Sequence, residues 1–205
     1  MTISTENPYF CCQPLVPVLA GGGSRLSAHI GVLKALEKMQ VPYNTLVGVS
    51  GGSIVGALAA AGYRHADLLE IARDTSFSQF ASQNLFTLFR TGGLSDGDLF
   101  ESWVDEKLEG RTFRDLQLDY HVVATDVRTG RAVIFNRKNT PDTRVALAVR
   151  FSMSIPILFS FKEYKNHLLV DGSILSEDAL QRDWAGDGTP AVVFKLRSSS
   201  ARRLS

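Results

Sequence analysis

Thr45-Leu46-Val47-Gly48-Val49-Ser50-Gly51-Gly52-Ser53-Ile54-Val55-Gly56-Ala57 is the stretch that decides the fold. Thr45 to Val49 forms an apolar strand, Ser50 to Gly52 turn the chain, and small residues to Ala61 make a buried helix. Within it, Gly48-Val49-Ser50-Gly51-Gly52 has the form G-x-S-x-G. A serine on a sharp strand-to-helix turn is pushed out of the top edge of a sheet, and only glycine tolerates the close backbone contacts beside it. The helix that follows points its free N–H groups at any charge developing nearby. The same letters also suit an ordinary glycine-rich turn, so the motif alone leaves the role of Ser50 open.

Upstream lies a second turn of the same kind. Leu15 to Ala20 is a strand whose consecutive apolar residues suggest burial on both faces, although Pro17 favours a sheet edge. Ala20-Gly21-Gly22-Gly23-Ser24-Arg25 then leads into a helix over Ser27 to Gln40, with Val32, Ala35, Leu36 and Met39 on one stripe. Strand, glycine turn, helix, twice over, is the rhythm of an α/β layered domain. The amides of the first glycine turn are a second set of donors, as acyl transfer through serine requires at the oxyanion. A phosphate cradle fits less well: G-x-x-x-x-G-K-[ST] is absent, and G-x-G-x-x-G fails at Leu26.

Downstream, residues 66–116 look mostly helical, with a capping signal at Ser95-Asp96-Gly97-Asp98. Strands return at Tyr120–Thr125 and Ala132–Phe135 around the turn Arg128-Thr129-Gly130. A helix from Asp142 to about Ser152 precedes a hairpin, Leu158–Lys162 with His167–Val170, and Ala191–Leu196 is the last strand. The expected organisation is an irregular lead-in over 1–13, one domain over 14–197 and a basic tail over 198–205.

Composition narrows the class of function. The 205 residues amount to one domain at roughly 100–200 residues each, and 44% hydrophobic with 21% charged residues excludes a disordered tail. Lys plus Arg (22) and Asp plus Glu (21) nearly cancel, which argues against a nucleic-acid partner. Cys11 and Cys12 are adjacent, so there is no disulfide framework or spaced zinc quartet, and a reducing, cytoplasmic setting is expected. The longest uncharged run, Met39 to Tyr63, contains Asn44, Thr45 and five glycines and reads as strand, turn and helix rather than a membrane span.

A nucleophilic serine needs a base, and the 4 histidines offer little from sequence: none is oriented by an obvious carboxylate. His167 and Asp171 share a strand, where roughly 3.3 Å per residue keeps them about 13 Å apart. Asp171 ends the apolar run Leu168-Leu169-Val170 and precedes Gly172, so it projects from a strand end. An Asx-type turn explains Asp-Gly equally well, and a carboxylate within hydrogen-bond reach of a serine serves as general base.

Taken together these blocks resemble the patatin-like phospholipases, from Leu19 to about Leu175. Gly21-Gly22-Gly23-Ser24-Arg25 with Ala28-His29-Ile30-Gly31-Val32-Leu33 is similar to the family's oxyanion loop and first helix. Gly48-Val49-Ser50-Gly51-Gly52 resembles its nucleophile elbow, and Asp171-Gly172-Ser173 its D-G-G/A block. Val122-Val123-Ala124-Thr125-Asp126 with Thr129-Gly130, and Ser154-Ile155-Pro156, fit more weakly. The resemblance implies a three-layer α/β/α fold with a mostly parallel central sheet. It also implies a Ser50–Asp171 dyad without histidine, and an oxyanion hole from the loop Gly21, Gly22, Gly23, Ser24 and Arg25. No metal or other cofactor is called for. The implied substrates are phospholipids, lysophospholipids or acylglycerols met at a membrane surface or micelle, by a protein that is cytoplasmic or peripheral to the membrane.

The sequence departs from the family pattern at Leu26, which replaces a glycine and disfavours positive φ, at Ser173, and at Ser176-Glu177-Asp178. These departures motivate an alternative, a catalytically impaired lipid- or protein-binding domain. An acyltransferase sharing the acyl-enzyme is a third reading. Phe77, Phe80, Phe86 and Phe89, 4 of the 12 phenylalanines, suit either a core helix or a lid facing lipid.

Overall fold

The computed structural model describes residues 13–22, 25–75, 96–154, 162–164, 167–172 and 180–196. The lead-in 1–12, Gly23 and Ser24, the phenylalanine-rich segment, Ser95, Ser173, Ser176-Glu177-Asp178 and the tail fall outside these residues. In chain order come β1 (Val16–Gly21), α1 (Ser27–Lys38), β2 (Thr45–Val49), α2 (Gly51–Ala60) and α3 (His65–Asp74). They are followed by α4 (Asp96–Lys107), a 3-10 turn (Phe113–Asp115), β3 (Asp119–Asp126), β4 (Arg131–Phe135) and α5 (Val145–Ser152). The order closes with β5 (Lys162–Tyr164), β6 (His167–Asp171) and β7 (Ala191–Leu196).

The strands form one mixed, mostly parallel sheet of 7, with the path β5-β6-β3-β2-β1-β7 and β4 added on β3. β1, β2, β3 and β7 are mutually parallel, while β4 and β6 run antiparallel to β3. Parallel neighbours need helical crossovers, and the strand–helix–strand units at β1 and β2 supply them. The sheet separates two apolar layers. One holds the helices, with Ile30, Leu33, Ile54, Leu58, Phe100, Val104 and Phe151 among its buried side chains. On the other, Val16, Val18, Val47, Val49 and Val123 pack with Leu180 and Trp184.

Several expectations change: the helix expected from Asp142 begins at Val145, and the hairpin strand expected over Leu158–Lys162 is Lys162–Tyr164, with 158–161 outside the described residues. Pro17 lies inside the sheet, in register with Val192 of β7, because the β1–β2 ladder begins only at Val18 and asks no donor of the proline. On α1 the buried residues are His29, Ile30, Leu33 and Leu36, whereas Met39 is 57% exposed. The seam is turned toward the branched side chains Ile30 and Leu33, which follow Leu26 at i+4 and i+7 and bury more apolar area than Ala35.

Among the described residues, no helix is long and apolar enough to cross a membrane.

Candidate active site

Two parallel strands, β1 and β2, end side by side, Ala20 in register with Val49, so the first glycine turn stands next to Ser50. Ser50 itself sits at φ 55°, ψ −132°, a conformation that costs a non-glycine residue about 1–3 kcal/mol. Hydrogen bonds hold it there. Its N–H donates to Ser152 Oγ at 2.8 Å, and that hydroxyl donates to the Val123 carbonyl at 2.7 Å. Its carbonyl accepts from Ser53 N–H at 2.8 Å and Ser53 Oγ at 2.6 Å.

The glycines around Ser50 answer to space rather than to φ. A Cβ on Gly48 would lie 2.2 Å from Tyr120 Oη and 2.6 Å from Ser53 Cα, and one on Gly52 only 2.1 Å from the Leu19 carbonyl. Tyr120, wholly buried, donates from Oη to the Ser53 carbonyl at 2.6 Å and so ties β3 to the first turn of α2.

Strand register brings in the partner. Along β3, Thr45–Val49 of β2 pair with Asp119–Val123, Leu169–Asp171 of β6 pair with Ala124–Asp126, and β4 pairs with Val122–Asp126. A strand has two edges, and β4 occupies one of them opposite both, so β2 and β6 lie in line on the other. Their C-terminal ends abut: Val49 faces Val123 and Asp171 faces Ala124. The contact is tight at Gly172, where a Cβ would fall 2.3 Å from the Val123 carbonyl and 2.9 Å from Val49 Cγ1.

At this junction Ser50 Oγ donates to Asp171 Oδ2 at 2.7 Å, across 121 residues of sequence. Both residues are buried, at 5% and 3% exposure. Met153 Sδ lies 3.9 Å from the same hydroxyl. The one hydroxyl proton goes to the carboxylate, the shorter and charge-assisted acceptor, and the sulfur forms a soft wall.

The end of α5 touches both residues of the pair, a feature missed in sequence. Ser152 holds Ser50 N, and the Ser154 carbonyl accepts from Asp171 N–H at 2.8 Å. Thr125 Oγ1 donates to the Asp171 carbonyl at 3.2 Å. Ser154 Oγ turns back to the Arg150 carbonyl, and buried Arg150 pairs with Asp98 and Glu101 of α4. The available signal was Ser152 closing a helix that is apolar but for Arg150, two residues ahead of the Ser154-Ile155-Pro156 block.

In the glycine-rich turn, Gly21 (φ 75°) and Gly22 (φ 116°) both occupy backbone that favours glycine. Arg25 N–H donates to the Gly22 carbonyl at 2.8 Å, and His29 Nε2 bonds the Gly21 carbonyl at 3.1 Å. Leu26 is right-handed, φ −53° and ψ −25°, and 4% exposed. The leucine therefore meets no positive-φ demand and serves as a core residue.

The histidines need a correction. His65 Nδ1 pairs with Glu37 Oε2 at 2.6 Å and His121 Nε2 with Asp119 Oδ2 at 3.0 Å, so two do have carboxylate partners. Helix-to-helix and i to i+2 strand neighbours of this kind are hidden from a search for sequence motifs. Neither pair takes the Ser50 hydroxyl, which is bonded to Asp171. Of His167, on β6, the described feature is its backbone register with Tyr164.

A strained serine at a strand–helix turn, bonded to an aspartate at an abutting strand end, defines a hydroxyl–carboxylate site on an α/β fold. The sequence model of the family described as patatin-like phospholipase matches residues 18–180, and the chain belongs to that family. Human patatin-like phospholipase domain-containing protein 6 is 31% identical over 161 residues, which are 78% of this chain and 12% of that protein. Neuropathy target esterase sws of Drosophila persimilis is 28% identical over 161 residues, 78% of this chain and 11% of its own length. The chain thus spans about an eighth of these relatives. VipD from Legionella pneumophila shares the fold, with a TM-score of 0.67, 16% identity, and coverage of 89% of this chain and 49% of that one.

Proposed function

We propose that the protein is a serine-dependent lipid acyl hydrolase that cleaves carboxylic esters of phospholipids, lysophospholipids or acylglycerols. The observation that carries this reading is the 2.7 Å hydrogen bond from Ser50 Oγ to Asp171 Oδ2. Ser50 Oγ attacks the ester carbonyl as Asp171 takes its proton, and the tetrahedral oxyanion is met by amides of the Gly21–Arg25 loop. Asp171 returns the proton to the leaving alkoxide as the acyl-enzyme forms. It then accepts a proton from water, which attacks the acyl carbon, and hands that proton back to Ser50 as the fatty acid departs. No metal or organic cofactor enters this scheme. The names of the human and fly relatives, a phospholipase domain protein and an esterase, support ester chemistry. Lipid esters meet the protein at a membrane surface or micelle.

The test is labelling by a fluorophosphonate probe together with turnover of lysophospholipid and acylglycerol substrates. Wild type is expected to label and turn over, Ser50→Ala to do neither, and Asp171→Asn to lose about 10³-fold or more in kcat. Equal labelling of Ser50→Ala and wild type overturns the assignment. A folded wild type that neither labels nor hydrolyses favours the impaired binding domain instead.

A further inference from the structure

We infer that His29 is a positioning residue for ester cleavage: its Nε2–H grips the Gly21 carbonyl and thereby aims the Gly22 amide at the oxyanion raised on Ser50. This rests on the reading of Ser50 as nucleophile. His29 lies in the first turn of α1, is 0% exposed, and bonds the Gly21 carbonyl 8 residues back at 3.1 Å. A carbonyl only accepts, so Nε2 carries the proton and the neutral ring keeps a bare lone pair at Nδ1. That Nδ1 is buried and has no hydrogen-bond partner among the described residues. Burial also lowers the His29 pKa, with the Gly21 carbonyl working more weakly against it, so the neutral form prevails at neutral pH.

A buried lone pair with no partner costs stability, and an apolar side chain in this seam beside Ile30 and Leu33 would avoid that cost. What the histidine supplies instead is one fixed donor. The Gly21–Gly22 peptide is planar, so its N–H points opposite to the carbonyl that His29 holds. At φ 75° and 116°, Gly21 and Gly22 have access to many backbone states, and without an anchor this peptide is free to turn over. The next carbonyl, of Gly22, is held by Arg25 N–H, so the two carbonyls that orient Gly22 both have donors. Charge arriving at the Gly22 amide polarises the peptide and strengthens the bond from His29 behind it. Among the described residues no carboxylate backs the ring, and it acts as an anchor that carries no proton in the reaction.

The test compares wild type, His29→Met, which removes the donor at similar bulk, and His29→Gln, which keeps an N–H at similar reach. Each is assayed for kcat, KM and inhibition by a trifluoromethyl ketone with a fatty acyl chain, which forms an anionic adduct on serine. His29→Met is expected to lose about 10- to 100-fold in kcat, with KM within about threefold, a fraction of the loss for a deleted oxyanion donor. Its affinity for the ketone should fall by a similar factor, and His29→Gln should recover most of both. In ¹⁵N-labelled wild type, ketone binding should move the Gly22 amide proton downfield, a readout that survives if His29→Met fails to fold. Unchanged kcat and ketone affinity in folded His29→Met, or an unmoved Gly22 amide in the adduct, overturns the inference. Failure of wild type to react with the fluorophosphonate instead overturns the reading of Ser50 itself.

Discussion

The two glycine turns, β1 into α1 and β2 into α2, leave neighbouring parallel strands side by side and look alike in sequence, yet they use glycine for different reasons. In the first, Gly21 and Gly22 adopt positive φ while their missing Cβ atoms would meet neighbours at only 3.2 and 3.1 Å. In the second, positive φ falls on Ser50, and the glycines at 48 and 52 make room for Tyr120, Ser53 and Leu19. One turn is built for backbone freedom that is then anchored. The other stores backbone strain at Ser50, the proposed nucleophile, and packs everything around it.

The sharpest way to break this comparison is at the strained position itself. Ser50→Ala should reduce ester hydrolysis at least about 10⁴-fold while the far-ultraviolet circular dichroism remains native. Residual activity within tenfold of wild type would mean that the strain serves packing alone.

Next come the glycines. Gly52→Ala should cost about 3 kcal/mol or more, because the new methyl meets a backbone carbonyl that has nowhere to go. Gly21→Ala should cost about 1–2 kcal/mol, the penalty of a left-handed conformation. Urea denaturation of the two variants measures the contrast, and equal costs would erase the distinction between the turns.

Ser152→Ala should be smaller in stability, about 1–2 kcal/mol, since it leaves Ser50 N–H and the Val123 carbonyl unsatisfied. It should lower kcat about tenfold through a loosened elbow, with Met153 and Asp171 still in place; stopped-assay kinetics on a soluble ester report it.

The smallest effect concerns pH. The folded pKa of His29 is depressed by burial, so on acidification the unfolded chain takes up a proton before the native one does. Its contribution is complete above about pH 7 and declines as pH falls below the unfolded value of about 6.5. Wild-type stability, taken relative to His29→Gln, should therefore fall between about pH 7.5 and 5.5 in urea titrations. A relative stability that rises on acidification contradicts a neutral buried imidazole.

Much of this site was legible in the sequence. G-x-S-x-G between an apolar run and small residues marks the elbow, because close packing leaves few alternatives to glycine at 48 and 52. Asp171 was recognisable as a strand-end carboxylate, but reach to Ser50 depends on how β2 and β6 share an edge of β3, and register is a property of pairing partners, not of either strand. Ser152 stayed hidden for the same reason, since a serine closing a helix gives no sign of what its hydroxyl will meet. Of the α1 stripe Val32, Ala35, Leu36 and Met39, Leu36 is buried and Val32 partly so, while Ala35 and Met39 face outward, because the row Leu26, Ile30 and Leu33 repeats as regularly and only docking chooses between rows. Leu26, a departure from the family's glycine, turned out to need no glycine once its backbone was known to be helical.

The head-on meeting of β2 and β6 has a consequence for how the protein comes into being. A chain leaving the ribosome carries Ser50 long before Asp171, and the two meet only when the β5–β6 hairpin pairs along β3 in line with β2. The proposed dyad therefore belongs to the paired sheet and to neither half of the chain alone.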